Sequence, residues 1–392
     1  MMEPTPKRTR RVTPFVALGL VASLARAAAA TDPRVGFREP ASVKDGLTVS
    51  QRLDAGGANY SRVLLPKAPS IGFQVRLAPP IIGEATADGE GGVLVAHGRD
   101  RVSALDATGR SLWSVRLNAE LASSPIPFGS GGYLLVARDG RLFELTSSGS
   151  VSERPALPWN DLDTKVLYTP TSEGGAIVAN GSRLARIGPE GARGFQTRLK
   201  SVIRAVFDWR GATLAVGSDG SLWARGMAGE ARELASFAAP VSQALLLDDR
   251  VLGLAQHELL SLELATGRTS VVWAEPTLEL RDFASAGGRQ LRVLAGRALL
   301  VELDLAGREL GRFALGSGET SPELASLVSD PTGASYVVAV GAPLAFVTPE
   351  GDFASIAGTG CPDPLPLTPV ARNRLVAACR SGLVRGLSDK AR

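Results

Sequence analysis

Cysteine and histidine are nearly absent, with two of each in 392 residues. A structural zinc site needs four such ligands, and a small disulfide-built fold needs many more cysteines, so both classes are excluded. The sequence has no Cys-x-x-Cys redox pair and no Asp-x-Asp-x-Asp-Gly calcium loop. Two histidines also leave a Ser-His-Asp or Cys-His device short of material. Lysine is scarce, six residues against 37 arginines, so arginine is the default base and a single Arg carries little functional information. Long apolar runs are missing as well: residues 12–25 form one stretch of 14, shorter than the roughly 20 residues that span a bilayer. What is abundant is glycine, 44 residues, with 25 prolines, a composition of many turns rather than many long helices. At 44% hydrophobic and 21% charged the chain has material for a sizeable core, and disorder is excluded.

The net charge of +4 is local. Residues 1–30 hold five basic side chains (Lys7, Arg8, Arg10, Arg11, Arg26) and one acidic one, Glu3, and without them 38 basic groups face 38 acidic ones. The body therefore has no bulk field for a polyanion, and nucleic acid is not an expected partner. The same 30 residues read as a secretory signal peptide: KRTRR at 7–11, the apolar stretch 12–25, and an alanine run ending at Ala30. No cysteine follows it to take a lipid. The expectation is an exported chain, periplasmic or extracellular, without a lipid anchor or a membrane span after processing. Residues 31–70 are rich in Pro, Gly and Ala with weak periodicity, and read as a leader, a tether or a strap along the surface.

One pattern then recurs. Apolar-alternating runs cross tight turns and end on Gly109, Gly149, Gly191, Gly229, Gly267, Gly307 and Gly351, at spacings of 40, 42, 38, 38, 40 and 44. Asp139-Gly140, Asn180-Gly181 and Asp219-Gly220 sit where a two-residue hairpin needs positive φ angles. Four short antiparallel strands in a unit of about 40 residues make a β-propeller blade. Hairpins can be counted eight times from residue 93 to residue 389, the last with no strand left after it. The run 71–78, IGFQVRLA, resembles 194–200, GFQTRLK, and is predicted to complete the last blade, closing the ring. The fold expectation is an all-β, eight-bladed propeller over 71–392. Cys361 and Cys379 fall in the last blade, 18 residues apart. In an oxidising compartment they either pair, worth about 3 kcal/mol, or sit as two buried thiols.

The segment Ala104-Leu-Asp106-Ala-Thr-Gly109-Arg-Ser-Leu-Trp113 resembles the repeat of quinoprotein-like (pyrroloquinoline-quinone-type) propellers, as do Ser124-Pro125 and the Asp-Gly-x-Leu run at 139–145. Fainter echoes are 262–267 with Trp273, and 303–307. The resemblance spans 71–392 and implies that Trp113 and Trp273 dock neighbouring blades. It also implies one of two activities. The family's dehydrogenases hold the quinone and calcium in a central funnel built from insertions, vicinal cysteines and a carboxylate–asparagine set. Its non-catalytic members serve outer-membrane assembly. About 40 residues per blade, separated cysteines and no clustered carboxylates at equivalent positions favour the second kind, with no cofactor and no metal. Ile356 to Gly360 is a single echo of a different, NHL-type repeat.

Remaining candidates are weighed against plain structure. His97 and His257 read as solvated turn residues of opposite blades, unable to share a metal. Asp161, Asp163 and Lys165 read as loop solvation rather than a calcium site. Glu84, Lys165, Arg204 and Arg281 fall near inner strands and are the expected channel-lining set. The five tryptophans are expected between blades. Asn59 and Asn180 begin sequons too short to weigh. The functional expectation is a non-catalytic binding or scaffold module of the bacterial envelope or exterior. It would act as a monomer, with a protein or a glycan as partner. The competing class is an enzyme, either a quinone-dependent dehydrogenase or a propeller hydrolase or lyase acting in the central funnel.

Overall fold

A computed structural model describes residues 61 and 63–389, apart from 130, 164–165, 192, 227–229, 287–288 and 316–323. The leader 1–30, most of the segment 31–70, Asn59, Lys165 and Gly229 lie outside the described residues. The remainder is an eight-bladed β-propeller of eight four-stranded antiparallel sheets, and no helix occurs among the described residues. Blades 1 to 7 span 86–116, 126–154, 167–198, 203–236, 243–274, 280–314 and 324–356. Blade 8 takes three strands from 368–389 and its outermost from Pro69–Arg76, which pairs antiparallel with Leu383–Asp389. The ring is thus closed by the N-terminal strand, as the sequence predicts, with the strand beginning at Pro69. Antiparallel alternation gives the ring two faces. The first–second and third–fourth strand turns lie on one, the turn face. The second–third turns and the blade-to-blade connections lie on the other, the connector face.

Burial explains the periodicities. The second and third strands of the blades are mostly buried, Val93–His97 and Ala176–Asn180 along their whole length. Outer strands, such as Ser111–Arg116, alternate between exposed and half-buried because one side meets the next blade and the other meets water. There is no single core. The buried apolar residues form eight clusters, and each straddles one pair of neighbouring blades.

The closing glycines are explained at these seams. Gly109 and Gly149 have φ of 82° and 88°, a left-handed backbone that their turns require. Each also lets the preceding blade approach: a Cβ on Gly109 would strike the Phe73 ring, and one on Gly149 the Trp113 ring. The same relation joins Gly191 to Arg154, Gly307 to Val272 and Gly351 to Phe313, while Gly267 lies in ordinary contact with Ala235. Blade 8 has no third–fourth turn to offer, because its outermost strand comes from the other end of the chain. Residues 61 and 63–68 cross that seam instead. Leu65 is fully buried between blades 7 and 8, and its N–H donates to Asp330 Oδ2 at 2.9 Å. Tyr336 Oη donates to Pro66 O at 2.6 Å, and the Asn373 N–H donates to Leu64 O at 2.8 Å.

Replacing Leu65 with alanine removes the apolar plug of this strap and should lower stability by about 2–4 kcal/mol. Urea unfolding of the full chain reads this directly, and an unmoved midpoint would show that the strap adds nothing to closure.

Candidate functional site

The inner ends of the blades hold the residues the sequence singled out. Glu84 precedes the inner strand of blade 1 and is 2% exposed, so it faces the junction of blades 1, 2 and 3 rather than open water. Tyr168 Oη, on the inner strand of blade 3, donates to Glu84 Oε1 at 2.5 Å, and Ser124 Oγ of blade 2 lies 3.1 Å from the same hydroxyl. Burial pushes the Glu84 carboxyl up to about 8, only partly opposed by the Tyr168 bond, and holds the Tyr168 phenol well above its ordinary range. At neutral pH one protonated carboxyl therefore ties three blades together.

Arg204 and Arg281 occupy equivalent places on the inner strands of blades 4 and 6. Each is the extra residue of a β-bulge, between Ile203 and Ala205 and between Leu280 and Asp282. A bulge re-aims a side chain, and here Arg204 is exposed and Arg281 half-buried. Arg281 pairs with Glu279 at 3.1 Å. Glu84 does not join them.

Buried ions that sequence reading passed over hold the seams. Arg186 and Asp208, both nearly without exposure, pair at 3.0 Å between blades 3 and 4, and Asp208 also accepts the Ser172 N–H at 2.7 Å. Arg292, fully buried, pairs with Glu302 at 2.9 Å and reaches Ser335 of blade 7 at 3.0 Å. Asp282 accepts the Leu327 N–H across the same seam at 3.0 Å. Losing one partner of such a pair strands a buried charge, so these arginines matter structurally even though arginine is common here. The signal was present in the strings RLARI and QLRVLA, where a base interrupts a buried run.

Trp113 Nε1 donates to Ser147 O of blade 2 at 2.9 Å, and Trp273 packs on the cluster between blades 5 and 6. Phe73 and Phe313 stand one repeat apart from these tryptophans, and Phe195 two repeats from each. Phe195 packs at the seam of blades 3 and 4 under the Arg225 guanidinium, 4.1 Å from its ring. Reading phenylalanine for tryptophan in the repeat would have found them. His97 is corrected: it ends a strand, is 4% exposed, and its Nε2 lies 2.8 Å from Ser103 Oγ. Burial lowers its pKa. His257 is in a turn and half-buried, its Nδ1 3.1 Å from Leu278 O. Asp163 is exposed and accepts from Asn180 Nδ2 at 3.2 Å.

Cys361 and Cys379 form a disulfide with Cα atoms 5.9 Å apart, joining the connection out of blade 7 to the residue just after the second strand of blade 8. Asp363 stands beside them, the one grouping of metal-ligand types among the described residues. With both sulfurs bonded to each other it offers a single carboxylate.

Eight four-stranded sheets joined by buried seams define a repeat propeller. A family model described as outer membrane protein assembly factor BamB matches residues 48–306, and the chain belongs to that family of quinoprotein-type repeats. Among solved structures, BamB from Moraxella catarrhalis is similar at 16% identity and a TM-score of 0.60, over 82% of this chain and 100% of that one. The computationally designed Ika8 protein matches at 12% identity and 0.65, over 81% and 99%. Virginiamycin B lyase from Staphylococcus aureus matches at 12% and 0.52, over 80% and 98%. These likenesses carry the fold. No curated protein matches the sequence.

Two outcomes follow. Folding raises the pKa of Glu84, so its contribution to stability is whole below the ordinary value of 4.5 and is lost as pH rises to about 8. Stability should fall across that window by up to roughly 1.4 kcal/mol per pH unit. Glu84→Gln keeps an acceptor for Tyr168 and should flatten the slope; identical slopes in chemical denaturation would refute the assignment. Reducing the Cys361–Cys379 bond, which spans 18 residues, should cost about 3 kcal/mol, visible as a lower melting temperature in dithiothreitol that Cys379→Ser reproduces.

Proposed function

We propose that this chain is an exported, non-catalytic propeller that binds a protein partner during assembly of the bacterial outer membrane. Membership of the assembly-factor family carries the reading. The basic and apolar segments at 7–25, with the alanine run that follows, support export. The inner ends of the blades support a scaffold role, because their buried carboxylates are engaged in joining blades. Both imidazoles are likewise engaged, His97 with Ser103 and His257 with a backbone carbonyl. A rigid ring presenting loops on a fixed frame suits recognition.

In a bacterial host the tagged chain should fractionate with the periplasm, begin at Thr31 on N-terminal sequencing, and crosslink to envelope proteins. Its depletion should lower the amount of outer-membrane barrel proteins. A chain retained in the cytoplasm with its leader intact, or depletion without effect on the barrels, would overturn the proposal.

A further inference from the structure

A cleft of about 990 Å³ opens on the connector face at blade 1. That volume lies at the upper end of the range for compact ligand sites, roughly 300–1,000 Å³. Its walls are the second–third turn of blade 1 around Arg99, the connection to blade 2 at 117–120, and Ala78 with Pro79. The turn is bolted to the connection on both sides: the Leu117 N–H donates to Asp100 O and the Leu121 N–H to Arg99 O, both at 2.7 Å. Arg99 itself sits at φ 71°, in the left-handed region, at the head of this fixed turn.

The charges of the cleft do not balance. Asp100 is taken by Arg116 at 2.6 Å, and Glu120 by Arg138 at 3.3 Å. Arg101 keeps a 4.0 Å contact to Asp100 with half its side chain exposed. Arg99 is exposed, and its guanidinium meets no acceptor among the described residues. A second observation is independent of charge. The backbone N–H groups of Asn118, Ala119 and Glu120, consecutive along the wall, also meet no acceptor among the described residues. The unpaired Arg99 guanidinium, with the loosely held Arg101 beside it and a row of open N–H donors, calls for carboxylates and carbonyls. Among the lining residues Arg99, Arg101 and Arg116 exceed Asp100 and Glu120 by one charge, a surplus that suits spaced carboxylates better than a dense phosphate chain. Buried Leu117 and Ala119 leave an apolar floor.

We propose that this cleft binds a short acidic segment of a partner protein, with Arg99 and Arg101 taking its carboxylates and the 118–120 N–H groups its backbone carbonyls. The site rests on the reading that the ring binds protein, and narrows that reading to one face and one ligand chemistry.

The test is fluorescence anisotropy of the full chain with a labelled octapeptide of alternating glutamate and leucine. The expected result is binding that weakens with salt and falls about tenfold or more when Arg99→Gln and Arg101→Gln are combined. Arg268→Gln, an exposed arginine of blade 5, should leave the affinity unchanged, and thermal melts confirm that each variant is folded. No binding, or equal affinity in the double variant, overturns the site. So does equal binding of the glutamine–leucine peptide, or displacement of the acidic peptide by tripolyphosphate at matched charge. Envelope crosslinks that persist while the peptide fails to bind would remove this cleft alone and leave the scaffold proposal standing.

Discussion

A blade four strands wide cannot bury its own faces. Each sheet has an apolar side facing its neighbour in either direction, and the eight clusters of this protein lie between blades. Closing the ring is therefore a condition for every seam, since an open ring would leave two faces wet. The N-terminal strand meets that condition. Phe73 on it enters the gap left by Gly386 within blade 8 and also meets Gly109 of blade 1. One aromatic side chain thus serves both the pairing that completes a blade and the seam that joins it to the next.

Polar groups are added to the apolar wedges where direction matters. Hydrophobic contact tolerates sliding, whereas the Arg186–Asp208 pair joins blade 3 to blade 4 and the Glu84–Tyr168–Ser124 group joins blades 1, 2 and 3 by directional bonds. The carboxyl of Glu84 achieves this while protonated, which a low-dielectric junction favours. The exposed parts of the molecule, loops and outer strands, are held on a frame whose angles are set from within.

The blade count, the turn glycines and the closing strand were legible in the sequence because they repeat: a period near 40 shows wherever the units are aligned. The errors came from features that do not repeat. His97 reads as a turn residue in AHGRD, yet the strand runs one residue further and the turn is built by Gly98 to Asp100. A slip of one residue exchanges the two faces of a strand, so the ring is buried instead of solvated. Glu84, flanked by glycine, reads as exposed because its cover is Tyr168, 84 residues away and two blades on. The unpaired state of Arg99 was hidden for the same reason: charge balance in the cleft depends on Arg116 and Arg138, neither of them next to it in the chain.

The strap and the disulfide divide the work of closure unevenly. The Cys361–Cys379 bond ties blade 8 to the connection from blade 7, but it does not cross the pairing between Pro69–Arg76 and Leu383–Asp389. That last pairing is held by non-covalent contacts, and it begins beside the strap, where the Lys67 and Ala68 N–H groups both donate to Asp389 Oδ1 at 2.7 Å. A force applied through residue 61 would load these contacts one after another, peeling the strap and then unzipping the closing strand from its Pro69 end. The ring is in this sense a clasp with a direction: firm against rotation of its blades, and weakest along the line on which its own N-terminal segment would pull.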